Sequence, residues 1–184
     1  FVVMAPSSGE ELKNMINLSL SIKNRPSAIR YPRDLAGDYD NKKPFQIIKI
    51  GKGKIVKKGK KIAFLNLGTR LKQVFETSNL IKNQFKIEST IVDMRFAKPI
   101  DKLIIKSLLK NHDIFITIEE NAIGGFSSQV NDYLLNSISN TPKISNFFMK
   151  DEFIDQSDIG DQYLQSGISS ELIVKRVSKL LKQL

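Results

Sequence analysis

From residue 61 to the end of the chain, segments typical of buried strands alternate with segments typical of amphipathic helices. The strand-like segments are "IAFLNLG", "ESTIVDM", "DIFITIEEN" and "KISNFFM", and the final helix-like segment is "SSELIVKRVSKLLKQL". Strands that alternate with helices of this length favour parallel pairing, because each crossover helix returns the chain to the same end of the sheet. The sequence therefore predicts an α/β fold built on a mostly parallel, doubly wound sheet.

The first 32 residues predict one further strand–helix–strand unit. "FVVMAP" is a strand-like run, Ser7 or Ser8 can cap a following helix, and "SAIRYP" returns to a sheet. Parallel pairing would bury both strands on both faces. The predicted inner face of the helix carries Leu12, Met15, Ile16 and Ser19. A strand at the very start, with no initiator Met, indicates the C-terminal piece of a longer protein.

Two segments separate these parts of the chain. "DLAGDYDNKKPF" (34–45) is polar and contains Gly and Pro, which is typical of an interdomain linker. "QIIKIGKGKIVKKGKK" (46–61) predicts two short strands with glycine turns, forming a hairpin or a β-extension. The predicted boundaries are therefore 1–35 for the first unit, 36–60 for linker and β-extension, and 61–184 for the second domain.

Composition excludes several classes of site. The chain of 184 residues has no Cys and one His, which excludes disulfides and argues against a zinc site. No apolar run approaches the length of a membrane span, and we expect a cytoplasmic protein without a membrane partner. The net charge of +10 comes from dispersed lysines, and their one cluster (51–61) has no interleaved aromatics to stack bases. We therefore expect no nucleic-acid partner.

A dinucleotide fingerprint is also absent. "GKGKIVKKG" has the glycine spacing but is followed by a strand-like stretch, and "NLGTRL" has a single glycine. No P-loop occurs. The sequence does not predict a Rossmann-type cofactor site.

Three other places carry ionisable residues near the predicted strand ends. Glu119 and Glu120 precede a glycine pair, where an anion site or acid–base pair is one reading. The favoured reading is structural, with one carboxylate capping the local backbone or forming a salt bridge. Asp93 and Arg95 are predicted to form an ion pair that holds a turn. His112, with no second His or Cys nearby, is expected to be a surface or capping residue.

Six stretches together resemble a known family: "MAPSSGEEL", "PSAIRYPRD", "IGKGKIVKKGKKIAFLNLGT", "IVDMRFAKPID", "TIEENAIGGFSSQVND" and "DEFIDQ". Their order and spacing are similar to the C-terminal portion of the 1-deoxy-D-xylulose-5-phosphate synthase family, within the transketolase-like, thiamine-diphosphate-dependent group. The resemblance covers essentially the whole chain. One departure is Asp34, where the family usually has Gly, and it puts the local turn geometry in question.

The resemblance implies a division of roles along the chain. Residues 1–35 would end a pyrimidine-binding-type domain, and residues 61–184 would be a transketolase C-terminal domain. Arg30 would bind the phosphate of glyceraldehyde 3-phosphate, Tyr31 would line the cleft, and Arg33 would form an interdomain salt bridge. The chemistry of an arginine side chain is consistent with this phosphate-binding role, because a guanidinium can bind phosphate through two hydrogen bonds.

The resemblance also implies cofactors and partners. Thiamine diphosphate and Mg²⁺ would bind residues outside this chain, because no Gly-Asp-Gly motif occurs in it, and the chain alone would be inactive. The implied substrates are pyruvate and glyceraldehyde 3-phosphate, and the implied partners are the rest of the synthase and a second copy. Alternatives are a 2-oxoacid dehydrogenase β-subunit, a transketolase, or a non-catalytic interaction or regulatory module.

Overall fold

The computed structural model describes residues 1–32, 40 and 42–184. Its strands are β1 (Val2–Met4), β2 (Ser27–Ile29), β3 (Lys54–Lys57), β4 (Lys61–Leu67), β5 (Thr90–Asp93), β6 (Phe96–Lys98), β7 (His112–Glu119) and β8 (Lys143–Phe147). Its helices are α1 (Gly9–Ser21), α2 (Leu71–Phe85), α3 (Lys102–Leu108), α4 (Phe126–Ser137), α5 (Ile159–Gln165) and α6 (Ser170–Leu181).

The main sheet has five strands in the order β3-β5-β4-β7-β8. Four of them, β5, β4, β7 and β8, run parallel, and β3 pairs antiparallel with β5 at one edge. The chain moves from β4 to β5 on one side and later crosses to β7 on the other side of β4. The predicted mostly parallel, doubly wound α/β sheet is confirmed.

Alternate residues of the central strands face two separate cores, as the two-residue period of a strand requires. Ile62 and Phe64 of β4 pack with α2 and α6, while Ala63 and Leu65 pack with α3 and α4 on the opposite face. Each of these four side chains is fully buried. Burial on both faces explains why the strand segments of the main sheet read as nearly continuous apolar runs.

A second, three-stranded sheet has the order β2-β1-β6. The parallel β1–α1–β2 unit is confirmed, with Ser8 as the N-cap of α1. The third strand, β6, was not expected, and it pairs antiparallel with β1 through Met4 and Phe96. Burial of β2 on both faces was wrong, because Ala28 is exposed to solvent.

The inner face of α1 also differs from the prediction. Met15 is fully buried as expected, but Ile16 is 46% exposed. Glu11 and Asn14 take inward positions instead. A pattern of apolar residues cannot predict burial of these two, because both are polar. They are buried because each has a specific partner, Arg95 for Glu11 and the Gln46 N–H for Asn14.

Residues 46–61 do not form a hairpin. Apart from Lys61, the first residue of β4, the only strand described there is β3, which adds to the edge of the main sheet, so the β-extension alternative is the closer one. Ile48 lies outside any strand and is buried in the small core with Met4, Met15 and Phe96. Tertiary burial of Ile48 explains why this stretch looks strand-like in sequence.

The predicted linker falls largely on residues outside the described part of the chain, and so do Arg33 and Asp34. The boundaries 1–35, 36–60 and 61–184 stay a prediction. The β1–β6 pairing shows that residues from the first and third of these ranges share one sheet. Among the helices of the described residues, none combines the length and the apolar character that crossing a membrane demands.

Candidate functional site

A cleft of about 780 Å³ opens at the carboxyl ends of β4 and β7. The chain turns to opposite sides of the sheet at these two strands, and open α/β sheets bind ligands in the crevice beyond such a switch point. Most of the lining residues come from four places: residues 30–32, the stretch 68–76, Glu120 and the α5–α6 region. The topology therefore brings the end of β2 over the binding edge of the main sheet.

Arg30 lies at this cleft, directly after β2. Its Nη1 donates to the main-chain oxygen of Glu120, and its main-chain N–H donates to Met4 O at 2.9 Å. The side chain is exposed and makes no ion pair within the described residues. Gly68 makes room for it, because a Cβ there would lie 3.2 Å from Arg30 Nη2. The guanidinium is thus fixed at one nitrogen, with charge left for a ligand.

Tyr31 lines the same cleft and is 62% exposed. The phosphate role of Arg30 stays a prediction, and so does any contact of Tyr31 with a substrate, although both residues lie where a ligand could reach them.

Glu120 holds the far wall of the cleft in place. Its Oε1 accepts hydrogen bonds from Thr69 Oγ1 at 2.8 Å and from Tyr163 OH at 2.5 Å. Burial, together with the hydrogen bond to Glu120, raises the pKa of Tyr163. Tyr163 therefore stays protonated and acts as a donor, tying α5 to the end of β7.

Arg70 and Tyr163 line the cleft as well, and neither is indicated by a sequence motif. Arg70 is 9% exposed, and its guanidinium carbon lies 3.4 Å from the centre of the Tyr163 ring, a cation–π contact. Its Nη2 donates to Gln73 Oε1. The sequence signal that could have indicated Arg70 is "GTR" between a strand and a helix, because ligands often bind at such a strand end.

Glu119 has a structural role, and the capping prediction for it is confirmed. Its two carboxylate oxygens accept from the main-chain N–H groups of Phe126 and Ser127, at 2.8 and 2.7 Å. Gly125 allows this geometry, because a Cβ there would meet Glu119 Oε2 at 2.3 Å. Glu119 thus stabilises the first turn of α4.

The predicted side-chain ion pair between Asp93 and Arg95 is wrong. Asp93 Oδ1 accepts from the main-chain N–H of Arg95 at 3.2 Å, and Asp93 Oδ2 accepts from Ser7 Oγ at 2.6 Å. The Arg95 guanidinium bonds Glu11 instead. Arg95 has a positive φ of 60°, which turns the chain sharply between β5 and β6. Burial raises the pKa of Asp93 to about 6.

His112 is buried at the start of β7 and is not a surface residue. One ring nitrogen lies 2.7 Å from Leu108 O, near the end of α3, and the other lies 2.7 Å from Thr90 Oγ1. The capping alternative for His112 is the correct one.

The described residues offer no metal centre. Within 1–32, 40 and 42–184, no three His, Asp or Glu side chains are grouped so that they could hold an ion. A cluster of three such side chains is therefore not available to Mg²⁺ within the described residues.

A family model for "Transketolase, C-terminal domain" matches residues 51–173, which is more than half of the chain. The chain belongs to the transketolase C-terminal domain family. The match begins just before β3 and ends within α6, so it covers the main sheet together with β6.

Solved transketolase structures have the same fold as this member of the family. A split-gene transketolase, described as an inactive β4 tetramer, superimposes with a TM-score of 0.85 at 24% identity, over 98% of this chain. The chain spans 58% of that protein's length. Two transketolase variants from Pichia stipitis give TM-scores of 0.69 and 0.67 at 12% identity, over 98% of this chain and 25% of theirs.

Proposed function

We propose that this chain is the C-terminal part of a 1-deoxy-D-xylulose-5-phosphate synthase. Such an enzyme condenses pyruvate with glyceraldehyde 3-phosphate, with loss of CO₂, in the synthesis of isoprenoid precursors and thiamine. The family match supports a transketolase-type transferase, and the motif set "RYPR", "VDMRF" and "EENAIGGF" supports the synthase among the members of that group.

The observation that carries the proposal is the placement of Arg30. Its guanidinium lies at the switch-point cleft, bound to a neutral main-chain oxygen and not to a carboxylate. A phosphate dianion can therefore pair with it without displacing an existing ion pair. In this proposal Arg30 binds the phosphate of glyceraldehyde 3-phosphate, and Tyr31 shields one side of the site.

The remaining parts of the enzyme lie outside this chain in our proposal. Thiamine diphosphate supplies the electron sink for decarboxylation when it is bound, with Mg²⁺ as its partner. In this proposal the residues that hold both cofactors lie outside this chain. The proposed assembly is a cytoplasmic homodimer in which this chain joins the rest of the synthase. The 184 residues alone are then expected to give no turnover with both substrates and both cofactors supplied.

The test is Arg30→Ala in the complete enzyme. A charge-assisted contact to phosphate contributes about 1.5–3 kcal/mol, so the KM for glyceraldehyde 3-phosphate should rise roughly 10- to 150-fold. The KM for pyruvate should change little, and Arg30→Lys should recover part of the loss. Equal weakening of both substrates would show that Arg30 is a structural residue and that the phosphate role is wrong.

A transketolase proper is the second candidate, because the three solved structures compared above are transketolases. The complete enzyme separates the two: a synthase releases CO₂ from pyruvate, whereas a transketolase transfers a two-carbon unit between sugar phosphates and leaves pyruvate unchanged.

A further inference from the structure

The first turn of α2 carries an unusual set of charges. Arg70 is the N-cap of this 15-residue helix and makes no side-chain cap hydrogen bond, and the first turn has no acidic residue. Lys72 follows at the second helical position. Free N–H groups and the helix dipole make a helix start electropositive, so cations there are unfavourable unless an anion compensates them.

Arg70 supplies an independent indication of a ligand. The residue as a whole is 9% exposed, it lines the cleft, and its Nε is shielded from solvent and has no hydrogen-bond partner within the described residues. Burying a guanidinium with an unpaired donor is costly, and the contact with Tyr163 offsets only part of that cost. Within the described residues no carboxylate pairs with Arg70.

Arg30, which follows β2 of the three-stranded sheet, lies at the same cleft as Arg70. Its Nη2 lies against Gly68, two residues before Arg70, and both arginines line one cleft. Three carboxylates, Glu76, Glu120 and Glu171, also line the cleft. Glu120 is engaged by Thr69 and Tyr163, while Glu76 and Glu171 are exposed, where water screens them.

We propose that Arg70, Lys72 and the uncapped first turn of α2 form, together with Arg30, a binding site for a phosphate monoester. The inference deepens the proposed function and rests on it for the role of Arg30. Arg70 supplies a pre-positioned charge, its planar face held by Tyr163, and the N–H groups of residues 71–73 donate to the phosphate oxygens. Arg70 and Lys72 are specificity-determining residues for the phosphorylated substrate.

The experiment titrates the 184-residue chain with inorganic phosphate and with glycerol 3-phosphate, using glycerol as the uncharged control. Binding is followed by calorimetry and by the rise in Tm that a ligand of the native state produces. Both phosphates should bind and glycerol should not. Dissociation constants weaker than about 10 mM for both phosphates would overturn the site.

Lys72→Glu is the sharpest variant, because folding and binding should respond in opposite directions. A carboxylate at the second helical position complements the dipole, so Tm without phosphate should stay equal or rise. Affinity for phosphate should fall at least about tenfold, since the new charge repels the anion. Lys58→Glu, an exposed residue in the loop before β4, makes the same charge change at the opposite end of that strand and should leave binding unchanged.

Arg30→Ala and Arg70→Lys separate this site from the proposed function. Weaker phosphate binding in all three variants, Arg30→Ala, Arg70→Lys and Lys72→Glu, supports both the α2 site and the phosphate role of Arg30. A loss in Arg70→Lys and Lys72→Glu, with Arg30→Ala unaffected, keeps the α2 site and refutes the phosphate role of Arg30. A loss in Arg30→Ala alone keeps that role and overturns the α2 site.

Discussion

Arg95 and Glu11 form a buried ion pair between parts of the chain that are 84 residues apart. Arg95 Nη2 lies 2.5 Å from Glu11 Oε1, and the two side chains are 9% and 11% exposed. Glu11 belongs to α1, and Arg95 follows the main-sheet strand β5. The pair fastens the β1–α1–β2 unit to the main sheet through side chains, in addition to the backbone pairing of β1 with β6.

Removing one member of this pair should be strongly destabilising. Glu11→Ala leaves the Arg95 charge buried without its partner, and we expect a loss of about 3–5 kcal/mol in the free energy of unfolding, measured with urea. Replacing both members, by Glu11→Leu with Arg95→Met, should recover much of this loss. Glu10→Ala, at the exposed neighbour in the same helical turn, should cost less than about 1 kcal/mol. Similar losses for Glu10→Ala and Glu11→Ala would contradict the ion-pair argument.

The buried carboxyl of Asp93 should make stability depend on pH. Burial raises its folded pKa to about 6 from 3.8; Ser7 and Arg95 oppose this rise and Glu11 adds to it. Because the native state holds this proton more tightly than the unfolded chain, the stabilisation is complete below the unfolded pKa and is lost as pH rises through about 6.

Asp93→Asn removes this titration while retaining an acceptor for the Arg95 N–H and a donor for Ser7. Between about pH 4 and pH 7, wild type should lose about 2 kcal/mol of unfolding free energy relative to Asp93→Asn, because the full difference of about 3 kcal/mol is present only well below pH 4. Chemical denaturation across that range is the measurement. A difference between the two proteins that stays constant with pH would show that folding does not raise the pKa of Asp93.

Gly125→Ala should release the cap of α4. The added methyl would occupy the space of Glu119 Oε2 and of Asn121 Nδ2, which lie 2.3 and 2.6 Å from the Cβ position. We expect a cost of about 1–3 kcal/mol, since two buried N–H groups lose their acceptor. Gly160→Ala is the matched control, because a Cβ there meets nothing within 4 Å and its helix should gain stability. An equal effect of the two substitutions on Tm would refute the capping argument.

Cutting the chain between its predicted domains should not separate the pieces. A specific protease site placed within residues 36–45 divides the chain, but the pieces remain joined by the β1–β6 pairing, the Ser7–Asp93 hydrogen bond and the burial of Ile48. The cleaved protein should elute as one species in gel filtration and as two in denaturant. Elution as two species without denaturant would show that the two pieces do not pack against each other strongly enough to stay associated.

The main sheet was predictable because its information is local. Residues of β4 and β7 are buried on both faces, so each strand reads as an apolar run, and the helices between them show a regular apolar period. Among the helices, α5 was not predicted, because it has seven residues and no clear apolar stripe. Among the strands, β6 was not predicted, because it has three residues and pairs with β1, which lies far away in the sequence.

The site was only partly predictable, for a related reason. Arg30 could be selected from its motif, since the strand end and the guanidinium are adjacent in sequence. Arg70 and Tyr163 are separated by more than ninety residues, and only the fold shows that one stacks on the other. The partner of Arg95 was misassigned because Asp93 is its neighbour in sequence, whereas Glu11 is its neighbour in space.

The position of β1 between β2 and β6 has a consequence for synthesis on the ribosome. Translation proceeds from the N-terminus, so β1, α1 and β2 emerge well before Phe96 and its neighbours. Until then one edge of β1 is unpaired, with the apolar Val2 and Met4 nearby. An unpaired apolar edge invites pairing with other nascent chains. We therefore expect translational pausing between the codons for residues 30 and 96 to increase aggregation of this protein.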